Sequence, residues 1–333
     1  MTINTILNKN IIQRSKDLSE GLFYGKAGLA IYYAVKSDHD KSVRKSYNNF
    51  INEILTNVNE NSPMTLENGL FGICLSIDII LKYYKKGNPD YVLEDIDSLI
   101  YRKFYISQSN EYQSSENYID ALFYLSYHLK LSLYGKERRQ LFIRESMVWV
   151  DYVYSNLPSD FFEELLPFNI IHKPLLFLDS LVCLYSQGIH CDRICHILNE
   201  IIYSLNLPMQ HANRLALLYI VKKTCITVEG LSDYWFEFAD ILSNNISMER
   251  IFNNEIKNRQ IFFINGVSGI YLLMLGCNRL FEYNMFNIDT DYYFRRIMDS
   301  DVTKKLKKGI PHDAYSLNGY WGINLFYEYL KNR

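Results

Sequence analysis

A pair of glycines three residues apart, set directly ahead of an apolar run, constrains this 333-residue chain more than any other feature. The pair appears four times: LFYGKAGLAIYYA from Leu22, ENGLFGICLSIDIIL from Glu67, FFINGVSGIYLLML from Phe262 and SLNGYWGINLFYEYL from Ser316. Gly25 and Gly69 stand 44 residues apart, and Gly266 and Gly319 stand 53 apart. The stretch between Gly69 and Gly266 has room for three degenerate copies. These place Ala121 and Tyr124, Lys173 and Leu176, and Asn213 and Ala216 in the glycine positions. A spacing of roughly 50 residues held over seven copies is the mark of an array built from one supersecondary unit.

Each unit reads as two helices of different character. SVRKSYNNFINEILTNV puts Val43, Tyr47, Phe50, Ile51, Ile54 and Val58 on one stripe, and LFIRESMVWVDYVY does the same with Ile143, Met147, Val150 and Tyr154. A 3.6-residue stripe with a charged opposite face is a surface helix. The runs after the glycines are apolar nearly all round, as helices covered on both sides must be. Alternating half-polar and fully apolar helices predict an all-α toroid, seven inner helices within seven outer ones, in a single domain over residues 1–333. At the inner helix starts, residues without Cβ let backbones approach closely. The first N–H groups of those helices are then expected to face a common mouth, open to an anionic or peptide ligand.

Charge excludes several functions. The net charge is −2 with a pI near 6.4, and cations are scattered among acids. That pattern offers no footprint for nucleic acid or an anionic membrane. The N-terminal MTINTILNKNIIQRSK lacks the apolar core of a signal peptide, and no apolar run reaches a membrane-spanning length. Six cysteines set mostly in apolar patterns predict reduced thiols and a cytoplasmic location. No P-loop, dinucleotide fingerprint, H-E-x-x-H or G-x-S-x-G motif occurs.

The seven G-x-x-G-[IL] units, clear in repeats 1, 2, 6 and 7, resemble the lanthionine synthetase C (LanC) family. Its members are zinc-dependent α/α toroids that add peptide cysteine thiols to dehydroalanine or dehydrobutyrine. The resemblance implies a zinc ion that binds the substrate thiol and lowers its pKa, with an acid/base pair handling protons. In the family, a Cys-His directly before the first glycine of repeat 6 supplies two zinc ligands. Here those positions are Ile264 and Asn265. The third ligand, a Cys two residues before the repeat 5 glycine, corresponds to His211. The acid/base histidine of repeat 4 corresponds to His172, and the family aspartate near repeat 3 corresponds to Asn117. The resemblance thus implies a divergent member without zinc or any other cofactor. Its partner would be a peptide substrate or precursor, together with other peptide-modifying enzymes. The mouth would be lined by His211, Ile264, Asn265, Tyr24, Tyr320 and Trp321.

Two alternatives stay open at this stage. A rearranged cyclase would pair His211 with Cys277, although Cys277 lies roughly 16 Å along its helix from the glycine pair. A toroidal carbohydrate enzyme would need two acids about 5–9.5 Å apart, drawn from Glu67, Glu116, Asp120 and Asp313. HCDRICHIL, with Cys191 and Cys195 one helical turn apart, reads as an outer helix rather than a metal site.

Overall fold

The structure is a computed structural model describing residues 18–37, 43–84, 92–107, 115–131, 136–163, 167–281, 283–306 and 316–332. Among these residues it contains helices and no strand. Seven helices carry the runs that follow the glycine positions: α1 (Lys26–Ser37), α3 (Leu70–Tyr84), α5 (Ser115–Leu131), α7 (Lys173–Tyr185), α9 (His211–Thr227), α11 (Val267–Leu280) and α14 (Tyr320–Lys331). Between them lie α2 (Val43–Asn57), α4 (Glu94–Ser107), α6 (Lys136–Ser155), α8 (Cys191–Ile201), α10 (Asp233–Asn244), α12 (Thr290–Met298) and the short α13 (Asp301–Leu306). The expected alternation is therefore present. In α8 the stripe Ile194, Ile197, Leu198 and Ile201 is buried, while Asp192, His196 and Glu200 are exposed. Along α3, by contrast, burial runs unbroken from Leu70 to Asp78.

Contacts divide the chain into two units: Met1–Trp149 with Ile310–Leu325, and Val150–Gly309 with Phe326–Arg333. In the first unit α1 packs on α3 and α3 on α5, with α2 against α1 and α4 against α3. Asp78 of α3 and His128 of α5, both without exposed side-chain surface, meet at 2.5 Å. Asp97 of α4 accepts from the Tyr124 hydroxyl at 3.1 Å and from Arg138 of α6 at 2.5 Å. In the second unit α7 packs on α9 and α9 on α11, with α8, α10 and α12 as their outer companions. Trp235 of α10 is fully buried and donates its indole N–H to the Leu198 carbonyl at 3.2 Å. Lys223 of α9 donates to Asp179 of α7.

The glycine pairs have a common structural cause. A Cβ on Gly72 would collide with the Leu66 carbonyl, and one on Gly69 with the Pro63 carbonyl, each six residues earlier. The same offset recurs at Gly25 and Gly28 against Ser19 and Leu22, and at Gly266 and Gly269 against Gln260 and Phe263. The preceding loop therefore lies directly on the helix start, where side chains are excluded. Its carbonyls take up the first N–H groups from seven residues back: Lys26 to Ser19 at 2.8 Å, Leu70 to Pro63 at 2.8 Å and Val267 to Gln260 at 3.0 Å. This corrects the expectation that these N–H groups face a mouth. Their hydrogen bonds are made within the repeat, because an unpaired donor at a packed helix end is costly.

Candidate functional site

Two helix starts in the second unit lack glycine, and they are built differently. Counted from where each helix begins, the first-glycine position falls on His172 in α7 and Gln210 in α9. That is one and three residues ahead of the positions assigned from sequence. Ahead of α7, Asn169 makes a turn by accepting the Ile171 N–H at 2.9 Å, and Pro174 removes one donor from the first helical turn. Ahead of α9, a side chain replaces the loop carbonyls. Glu255 accepts the His211 and Ala212 N–H groups, both at 2.8 Å. Glu255 ends a short π turn, Ile251–Glu255, packed on α9. A carboxylate at a helix N-terminus is also favoured by the helix dipole.

Between these two starts lies a cleft that is open to solvent. Leu175, Leu178 and Leu217 form its apolar wall; Pro174 and Pro208 narrow it; His172, Asn213, Asn206 and Glu163 supply the polar groups. Leu175 and Asn213 stand three residues after the first-glycine positions, where repeats 1, 2 and 6 carry their second glycine. Where glycine would let a loop press on Cα, two side chains line a space instead. The chemistry is that of a binding cleft, predominantly apolar with a few polar groups at its edge.

Of the residues singled out from sequence, the cleft brings in His172. Its backbone forms the N-cap of α7 while its side chain makes no capping bond. His211 is turned elsewhere. It is buried, and its Nδ1 lies 3.0 Å from the Asn245 carbonyl and 3.1 Å from the Ser247 N–H, with the Arg214 guanidinium at 3.3 Å. The Arg250 guanidinium approaches its Nε2 at 3.5 Å. Ile264 is buried, and its carbonyl accepts the Ile170 N–H at 2.8 Å, which joins the loops ahead of α11 and α7. Asn265 is exposed, and its carbonyl accepts from Gln260 at 3.2 Å. Tyr24, Tyr320 and Trp321 belong to the first unit. The Tyr24 hydroxyl accepts from Asn318 at 3.1 Å. Tyr320 and Trp321 are buried, and the Trp321 ring tilts on Tyr32 at 4.3 Å. Asn117 lies in α5, but its side chain is outside the described residues, as are Glu116 and residues 312 and 313.

A metal ion finds no suitable donors at the positions the resemblance marks. Ile264 offers an alkyl group, Asn265 a weakly ligating amide, and His211 a ring crowded by two guanidinium groups that repel a cation. Counted from the helix start, the repeat 5 position falls on Pro208, which carries no ligating atom. Among the described residues no group of three His, Cys, Asp or Glu side chains is placed to hold a metal. Cys277 is buried, and burial pushes its thiol up to about 12, far from a thiolate nucleophile. Asp120 is buried and accepts the Leu66 N–H at 3.1 Å, which is a structural role. No cysteine forms a disulfide. Cys195 donates to the Glu229 and Gly230 carbonyls at 3.4 Å, anchoring α8 to the loop before α10. No described helix is long and apolar enough to cross a membrane.

Sequence reasoning missed Phe162, Glu163 and Leu205 to Pro208. Their one signal is the presence of leucine and proline in connecting segments, FFEELLP and LNLPM, where polar residues are usual.

No family model matches the chain, and no curated protein does. Among solved structures it is similar to one described as nisin cyclase, with a TM-score of 0.67 and 16% sequence identity. The match covers 98% of this chain and 93% of that one. The likeness shows the fold, an all-α α/α toroid.

Proposed function

We propose, from the fold shared with nisin cyclase, that this chain is a LanC-like protein lacking the zinc centre. It binds an apolar stretch of a ribosomally made peptide in the α7–α9 cleft and acts as an accessory component in that peptide's maturation. The observation that carries this reading is the chemistry at the repeat 6 position. A buried isoleucine and an exposed asparagine amide stand where thiolate and imidazole would be needed. Without a metal to lower its pKa, a substrate thiol near neutral pH stays mostly protonated. Binding is then the activity left to the cleft: leucine and proline walls take apolar side chains, and His172, Asn206 and Asn213 can pair with peptide amides.

Metal analysis of the purified full chain tests the loss of zinc, with well under one zinc per chain expected. Tightly held zinc near one per chain, surviving dialysis against a chelator, would overturn the reading. The binding role is tested with Leu217→Asp, which buries a charge in the cleft wall. It should weaken capture of a fluorescent apolar peptide by about tenfold or more while leaving helicity intact.

A further inference from the structure

The outer face of α10 stands apart from every other outer helix among the described residues. Each of α2, α4, α6, α8, α12 and α13 carries lysine or arginine, whereas α10, DYWFEFADILSN, carries none. Its buried side is Trp235, Ala239 and Leu242. Directly opposite, Asp233, Glu237 and Asp240 form an exposed crest at positions i, i+4 and i+7. The flanks of that crest are apolar and exposed: Phe236 on one side, Tyr234 and Ile241 on the other. Tyr203, 69% exposed, extends the Tyr234 flank, with the two rings meeting edge-on at 5.2 Å. The neighbouring α8 adds exposed Asp192, while its Glu200 accepts from the Tyr154 hydroxyl at 2.6 Å. Its one arginine, Arg193, is engaged by Asp151 at 2.7 Å and lies over the Tyr154 ring.

We infer that this face docks a cationic amphipathic helix of a partner protein, lysines and arginines against the crest and apolar residues between the aromatic flanks. Charge complementarity selects that occupant. Three carboxylates with no cation on the same helix gain from an incoming basic residue, and the Tyr203–Tyr234 pair offers ring faces to a guanidinium or ammonium. A second copy of this chain fits less well, since two acidic crests would oppose each other. The inference is independent of the cleft and of the reading given to it.

The test titrates the full chain into a fluorescent helical peptide of leucine and lysine, beside a leucine–glutamate peptide of the same length. The lysine peptide should bind, more weakly as salt rises, while the glutamate peptide should not. The triple variant Asp233→Lys, Glu237→Lys, Asp240→Lys should lose about tenfold or more for the lysine peptide and gain affinity for the glutamate one. Tyr203→Ser with Tyr234→Ser, which leaves the charges in place, should weaken the lysine peptide several-fold. Leu217→Asp in the cleft should leave its binding unchanged. Equal binding by wild type and both surface variants would overturn the inference. So would loss of binding with Leu217→Asp alone, or a dimer of the free chain that the triple variant dissolves.

Discussion

The start of α3 and the starts of α7 and α9 solve one problem in opposite ways. At α3 the loop lies against Gly69 and Gly72, and its own carbonyls bind the first N–H groups. At α7 and α9 the glycines are replaced, and the cleft lies where the second glycine would stand. The bodies of the helices differ in the same sense. The Asp78–His128 pair between α3 and α5 has no exposed side-chain surface, whereas Asp179 and Lys223 between α7 and α9 retain 11% and 17%. One region is sealed by backbone contacts that admit no side chain; the other keeps side chains, and with them space. A glycine pair in this repeat is thus a sign of closure. Its loss at α7 and α9 leaves a cleft.

The largest expected effect comes from breaking the sealed region. Asp78→Ala leaves His128 buried without its hydrogen-bonded carboxylate and should cost about 3–5 kcal/mol. The matching Asp179→Ala should cost less, since Lys223 can reach water. Chemical denaturation of both variants measures the difference, and equal costs would remove the contrast. Next is Gly72→Ala, whose Cβ must displace the Leu66 carbonyl; about 1–3 kcal/mol is expected. Glu255→Gln should cost about 1 kcal/mol, because it weakens the side-chain cap that stands in for loop carbonyls at α9.

The smallest effect is a pH dependence. Burial raises the Asp78 carboxyl above its usual range, with His128 opposing in part. For His128 burial acts downward, but the Asp78 carboxylate outweighs it and lifts the imidazole above its ordinary 6.5. Both groups hold protons more tightly in the folded chain than in the unfolded one. Their contribution is therefore present below the unfolded values and is lost as pH rises through the folded ones. The melting temperature should drift down above about pH 6.5. Replacing the pair by Asp78→Asn with His128→Gln should flatten that drift, and an unchanged slope would assign it to other groups.

The repeat, its two kinds of helix and the positions of Ile264 and Asn265 were legible in the sequence because each rests on local spacing. Glycine three apart ahead of an apolar run has few uses, and a 3.6-residue stripe reports which face is covered. The roles of individual side chains were less legible. His211 and Trp321 sit beside helix starts and look available to a ligand. Yet the first is held among Asn245, Ser247 and two arginines, and the second is packed on Tyr32.

By itself, then, the sequence determined the helical class, the count of repeats and the residue types standing at each helix start. Only the tertiary structure decided that the glycine-bearing starts of α1, α3 and α11 are closed and that a cleft opens between two of the starts that lack glycine. It also decided that an outer helix without a single basic residue turns its acids outward. The reason is physical. Periodicity follows from how a helix turns, and any reader of the chain can count it. Whether a donor is met by a carbonyl seven residues back or by a carboxylate 44 residues on depends on how the whole chain packs.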